Sequence, residues 1–119
     1  AHEKALKKGH FDAILIDDNE EVYEGAYSNI FWFEGNTLCT RNDQILKGII
    51  RETILEISPF KIQFKKITLK ELQKKEEVFL TQSIKLIVPI VKINNKKIGT
   101  GKPGERTKKI IGKFSLKVT

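Results

Sequence analysis

Short β-prone runs broken by polar turns limit what this chain can fold into, and the first two such runs hold an acid between them. Residues 11–17 (Phe11-Asp12-Ala13-Ile14-Leu15-Ile16-Asp17) and residues 29–33 (Asn29-Ile30-Phe31-Trp32-Phe33) both read as buried strands. Between them lies Glu24-Gly25-Ala26-Tyr27-Ser28-Asn29, a compact polar turn led by a carboxylate. An acid at such a junction needs a partner or stays in water, because an unpaired buried charge is expensive.

The remaining sequence divides into elements of similar length. Residues 1–9 are expected to be the last turns of a helix, with Lys7 and Lys8 at its negative end and Gly9 as its stop. Strands are predicted at 11–17 and 21–24, joined by Asp17-Asp18-Asn19-Glu20, then at 29–34 and 37–40 as a hairpin around Gly35-Asn36. These strands are expected to share one mainly antiparallel sheet. Ile50, Ile54 and Ile57, with Ile49 and Leu55 beside them, make the stripe of an amphipathic helix running from Gly48 to Ser58-Pro59. Residues 60–67 alternate as a strand, and Thr68-Leu69-Lys70-Glu71 has the capping-box spacing of a helix starting at Leu69. Strands follow at 78–80 and 86–91, separated by the turn Thr81-Gln82-Ser83, then a turn at Asn94-Asn95 and a terminal helix over 107–116. The prediction is one α+β domain covering residues 1–119, its sheet mainly antiparallel and flanked by helices.

Composition excludes several classes. With 31% charged and 39% hydrophobic residues the chain is a folding sequence, and no apolar run reaches membrane-spanning length. Cys39 is the single cysteine, so no internal disulfide forms, and a cytoplasmic location is the default expectation. In its hairpin strand Cys39 reads as a small buried residue and not as a nucleophile. His2 and His10 have no acid or cysteine at ligand spacing, which gives no metal site. A net charge of +7 suggests nucleic-acid binding, but only Arg41, Arg51 and Arg106 are arginines and the lysines are scattered as separate pairs. A solvated basic surface is the better reading, with a nucleic-acid module as a weaker alternative.

Three boundary features carry chemistry: the acid turn at Glu24, the glycine-led helix start Gly48-Ile49-Ile50, and the hydroxyl-rich turn ending at Ser83. A helix N-terminus presents unpaired N–H groups and a positive dipole end, and glycine at its mouth lets an anion approach the backbone. Ser83 can add a hydroxyl to the same anion, and Glu24 can hold a protonated ring nitrogen. A phosphorylated pyridine asks for these groups.

The stretches 23–31, 45–51, 77–83 with Val88-Pro89-Ile90, and 98–104 resemble, in order and over almost the whole chain, the C-terminal half of the class IV aminotransferases. These are pyridoxal-phosphate enzymes of fold type IV: branched-chain aminotransferases, D-amino-acid aminotransferases and aminodeoxychorismate lyases. The resemblance implies a barrel-like sheet, pyridoxal 5'-phosphate as cofactor, an amino-acid or aminodeoxychorismate-type substrate and a homodimer. It places Glu24 at the pyridine nitrogen, the Ile49 and Ile50 amides and Ser83 at the cofactor phosphate, and Ile84 and Lys85 near the substrate carboxylate. Asn29 closes the acid turn in an architectural role. Residues 28–32 and 79–83 lean slightly towards the lyase or a general class IV aminotransferase.

Departures qualify what the resemblance implies. Ile50 stands where the family usually has threonine, Lys47 and Glu105 replace prolines, and Gln82 replaces asparagine or a small residue. Nothing here matches the family's Schiff-base lysine, which belongs just upstream of residue 1, or its smaller N-terminal domain. No catalytic residue is therefore assigned, and the chain is expected to be an inactive C-terminal piece of a longer enzyme. A non-catalytic scaffold gripping a phosphorylated ligand is the alternative.

Overall fold

A computed structural model describes residues 2–5, 13–16, 21–25, 29–42, 48–82, 86–93 and 96–118, with side chains described for residues 29–42, 48–81, 86–93 and 96–117. In chain order the elements are β1 (His2–Ala5), β2 (Ala13–Ile16), β3 (Glu21–Gly25), β4 (Asn29–Glu34), β5 (Thr37–Thr40), α1 (Ile49–Ile57), β6 (Lys61–Phe64), β7 (Ile67–Thr68), α2 (Leu69–Gln73), β8 (Val78–Gln82), β9 (Leu86–Ile90), β10 (Lys92–Ile93), β11 (Lys96–Lys97) and α3 (Glu105–Val118).

The central layer is a five-stranded sheet in the order β6-β5-β4-β8-β9, antiparallel except for the parallel β5–β6 pair. Period-two alternation along β4 and β8 sends side chains to two cores. On one face Ile30, Trp32, Val78 and Leu80 pack with Ile67, Leu69 and Leu72 of β7 and α2. On the other, Phe31, Phe33 and Phe79 pack with Ile54 of α1 and with Ile110 and Phe114 of α3. Both faces are thus covered, which is why 29–33 is apolar at every position after Asn29.

Several expectations are corrected. Residues 2–5 are not helical: β1 pairs antiparallel with β2, His2 opposite Ile16 and Ala5 opposite Ala13. Pairing with β2 gives these residues backbone partners along one side, and the rest of the expected helix, residues 1 and 6–9, lies outside the described residues. The first strands do not share a sheet with β4 and β5; β1, β2, β3 and β7 form a separate four-stranded sheet. The run 60–67 is divided, β6 joining β5 and β7 joining β3, with exposed Phe64 and buried Ile67 marking the change of side. None of the sheets closes on itself among the described strands, so the barrel-like expectation is replaced by separate open sheets with flanking helices. Thr81 and Gln82 extend β8, opposite Ile87 and Leu86, and do not belong to a turn. Asn94-Asn95 lies outside the described residues, between β10 and β11, which pair antiparallel.

Local signals hold where they are strong. The Thr68–Glu71 capping box forms, with Glu71 N–H donating to Thr68 Oγ1 at 3.2 Å and Thr68 N–H to Glu71 Oε1 at 3.0 Å. Cys39 is fully buried, and burial first, then the charge of Glu34, pushes its thiol up to about 11.

The start of α3 is capped from a distance. The buried carboxylate of Glu77 accepts from Thr107 N–H at 2.8 Å, Thr107 Oγ1 at 2.9 Å, Arg106 N–H at 3.4 Å and Arg106 Nη1 at 2.9 Å. Arg106 Nε reaches on to Asn36 Oδ1 in the β4–β5 turn at 2.9 Å. Gly104 makes room for this: a Cβ there would lie 2.1 Å from Glu77 Cδ. Gly104→Ala is expected to push the carboxylate off the helix start, at a cost of about 1–3 kcal/mol, read as a lower urea midpoint.

Candidate functional site

The site is built where the start of β4 and the end of β8 meet the start of α1. Gly48, the N-cap, is extended at φ −64° and ψ 156°, and no side chain caps the helix. The first intrahelical bond is Glu52 N–H to Gly48 O at 3.0 Å, so the amides of Ile49, Ile50 and Arg51 precede the ladder. They are the donors of a helix N-terminus, at its positive dipole end. Ile49 is exposed and Ile50 half-buried against the Phe31 core.

Asn29 fixes this helix start to the sheet. It is the first residue of β4, buried at 5% exposure, and its Oδ1 accepts the Gly48 N–H at 3.3 Å. A Cβ on Gly48 would come to 3.0 Å from the same oxygen, a tight contact that would press on the Asn29 side chain, and glycine leaves that space open. Asn29 is thus architectural through its bond to the helix start, while the acid turn it was expected to close, residues 26–28, lies outside the described residues. Directly across from Asn29 on β8 is Thr81, on the same face as Phe79, against which α1 packs. Thr81 is 2% exposed, and its hydroxyl has no hydrogen-bond partner among the described residues. A buried hydroxyl left without a partner costs about 1–3 kcal/mol.

The other expected site residues fall as follows. Glu24 is the fourth residue of β3, opposite Leu15 on β2 and one before the strand's end, and β3 packs against β4. Its carboxylate is outside the described side chains. Ser83, Ile84 and Lys85 lie outside the described residues, in the connection between Gln82 and Leu86, which pair with each other. The topology thus brings Asn29 and Thr81 beside the start of α1 with Ile49 and Ile50. Thr81 as a side chain facing this place is missed by sequence reasoning, which sees only a turn hydroxyl. Its signal is the alternation that puts it in phase with Phe79.

Among the described residues there is no cluster of side chains suited to a metal ion, and no helix is long and apolar enough to cross a membrane.

A glycine-opened helix start, held by a buried asparagine beside a hydroxyl without a partner among the described residues, has the donors that an anion needs, on an α+β scaffold. Residues 1–93 match the family described as amino-transferase class IV, and the chain belongs to that family. It is 34% identical over 116 residues to a probable branched-chain-amino-acid aminotransferase of Aquifex aeolicus, covering 92% of this chain and 37% of that protein. Against a D-alanine aminotransferase of Bacillus licheniformis it is 34% identical over 113 residues, covering 91% of this chain and 40% of that protein. Its fold superposes with a TM-score of 0.86 on a T.th. branched-chain amino acid aminotransferase solved with pyridoxamine 5'-phosphate, at 25% identity over 93% of this chain and 38% of that one. A Thermoproteus uzoniensis branched-chain aminotransferase solved with norvaline gives a TM-score of 0.80 at 31% identity, over 90% of this chain and 37% of that one. The chain spans about two fifths of the length of the curated relatives it matches.

Proposed function

We propose that this chain is the C-terminal, cofactor-cradling domain of a longer pyridoxal 5'-phosphate enzyme that moves amino groups between amino acids and 2-oxo acids. The observation that carries the reading is the helix start itself: free first-turn amides, glycine at the mouth, the Asn29 clamp and the unpartnered Thr81 hydroxyl. The residues present suit a phosphorylated pyridine. Ile49 and Ile50 would give backbone N–H bonds to its phosphate, with Ser83 adding a hydroxyl and Glu24 holding the ring nitrogen protonated. Ile84 and Lys85 are assigned to the side facing the substrate carboxylate. When bound, the cofactor supplies an electron sink for the α-carbon of an amino acid.

In this reading the chain's own work is binding and orientation. The helix end would fix the phosphate and the Glu24 carboxylate would keep a proton on the ring nitrogen, with the packing of α1 on β4 and β8 holding the helix start in place. Ile50 offers no hydroxyl where relatives usually have threonine, and the loss of one such bond weakens the phosphate grip by about 0.5–1.5 kcal/mol. The relatives reported above are named aminotransferases, which favours amino transfer over the lyase reading of the sequence. Branched-chain or related aliphatic amino acids are the proposed substrates, and a homodimer is part of the same proposal.

A spectroscopic titration with pyridoxal 5'-phosphate tests this. The protein is expected to bind it with inorganic phosphate as a competitor, and Gly48→Ala, which crowds Asn29 Oδ1 at the helix mouth, is expected to weaken binding about tenfold, roughly 1.4 kcal/mol. Unchanged affinity in Gly48→Ala, or no effect of phosphate, would remove the helix start from the site.

A further inference from the structure

Arg51 is the third residue of α1 and one of the most deeply buried side chains, at 1% exposure. Burying a guanidinium costs more than burying an aliphatic side chain, so its bonds must do something an aliphatic side chain cannot. Its Nη2 donates to the Arg41 carbonyl at 2.9 Å and to Asn42 Oδ1 at 3.0 Å, its Nη1 pairs with the Glu52 carboxylate, and its Nε has no partner among the described residues. The Phe64 ring lies 5.9 Å from the guanidinium carbon. Arg41 and Asn42 directly follow β5, while Gly48 opens α1, so Arg51 ties together the two ends of the connection between them.

We infer that Arg51 is a positioning residue for the phosphate-binding end of α1, acting through a clamp of its forked donors on Arg41 O and Asn42 Oδ1. This rests on the cofactor reading above. The first-turn amides are then held from two sides: Asn29 fixes Gly48 to β4, and Arg51 fixes the same turn to the end of β5. The side chain touches no cofactor atom in this role. It sets where the Ile49 and Ile50 N–H groups point, and its charge, tempered by Glu52, adds to the positive helix end. Lysine cannot replace it, because a single ammonium on a flexible stem does not hold a carbonyl and an amide oxygen in one fixed fork.

The test compares pyridoxal 5'-phosphate with pyridoxal, which lacks the phosphate, for the unaltered protein and for Arg51→Lys, Arg51→Met and Asn42→Ala. Thermal melting is recorded alongside. The unaltered protein is expected to favour the phosphorylated form. That preference should fall about tenfold in Arg51→Met and Arg51→Lys and about threefold in Asn42→Ala, with pyridoxal affinity unchanged throughout. The exposed Asn42 keeps the comparison available if the Arg51 variants fold poorly. Equal loss of both ligands, full retention of the preference in Arg51→Lys, or no change in Asn42→Ala would overturn the clamp. An unaltered protein with no preference for the phosphorylated form would instead sink the cofactor reading itself, and the clamp with it.

Discussion

Glu77→Ala lowers the unfolding free energy by about 3–5 kcal/mol, the cost of breaking a buried charge network by removing one partner. The four bonds that end on this carboxylate all come from the first turn of α3, thirty residues away in sequence. Without it, the Thr107 amide and hydroxyl are buried with nothing to donate to, since Thr107 is 1% exposed. α3 then loses its N-terminal anchor and with it the seating of Ile110 and Phe114 on the sheet. Against the 5–15 kcal/mol that holds a domain of this kind together, the loss is large, on the order of a third or more. Urea denaturation measures it directly; a loss below about 1 kcal/mol would mean that solvent replaces the carboxylate at no great cost.

The same carboxylate makes the fold acid-sensitive. Burial raises the Glu77 pKa, but the bonds from Thr107 and Arg106 outweigh it and leave the group below its ordinary value. Glu34 behaves alike: burial raises it, and hydrogen bonds from Lys65, Trp32 and Lys75 bring it from 4.5 down to about 2. A carboxylate depressed in the folded state stabilises fully above its unfolded pKa, and the contribution is lost as pH falls through the folded value. Stability contributed by Glu34 should therefore hold from neutral pH to about 5 and drop between roughly pH 4.5 and 2, a drop that Glu34→Gln should make shallower.

The second large effect is Phe79→Ala, with an expected cost of about 3–5 kcal/mol. Phe79 is fully buried in the middle of β8, between Phe31 of β4 and Pro89 of β9. Its ring stacks on Phe31 at 4.9 Å with planes 6° apart, and lies 6.3 Å from Phe33. Both α1, through Ile54, and α3, through Ile110 and Phe114, rest on this group of rings. Truncation leaves a cavity under the helix whose start forms the candidate site, so weaker binding of pyridoxal 5'-phosphate should accompany the lower urea midpoint. The exposed Leu116 is the control; its truncation should change stability by no more than about 0.5 kcal/mol.

Much of the local structure is legible in the residues. The bounds of α1 follow from Gly48 at one end and Ser58-Pro59 at the other, and the hairpin at 29–34 and 37–40 follows from its apolar runs around Gly35-Asn36. α3 begins two residues earlier than periodicity indicates, because Glu105 and Arg106 are polar and their place in the helix depends on the distant Glu77. Residues 2–5 mislead for a related reason. Lysines before a glycine suit a helix end, yet the adjacent β2 offers backbone partners along one side of residues 2–5.

The sequence by itself determined the order of most elements, because periodicity and caps are properties of neighbouring residues, and its resemblance to the class IV aminotransferases supplied the family and the residues expected around a phosphorylated pyridine. Only the tertiary structure decided which sheet each strand joins, that β6 runs parallel to β5, that Asn29 holds Gly48, and that Arg51, Glu77 and Thr81 are buried polar groups with fixed roles or an unmet need. Those depend on which residues from distant parts of the chain arrive opposite one another. The free energy of a buried hydrogen bond or charge is set by that partner and by the exclusion of water, and neither is written in the local sequence.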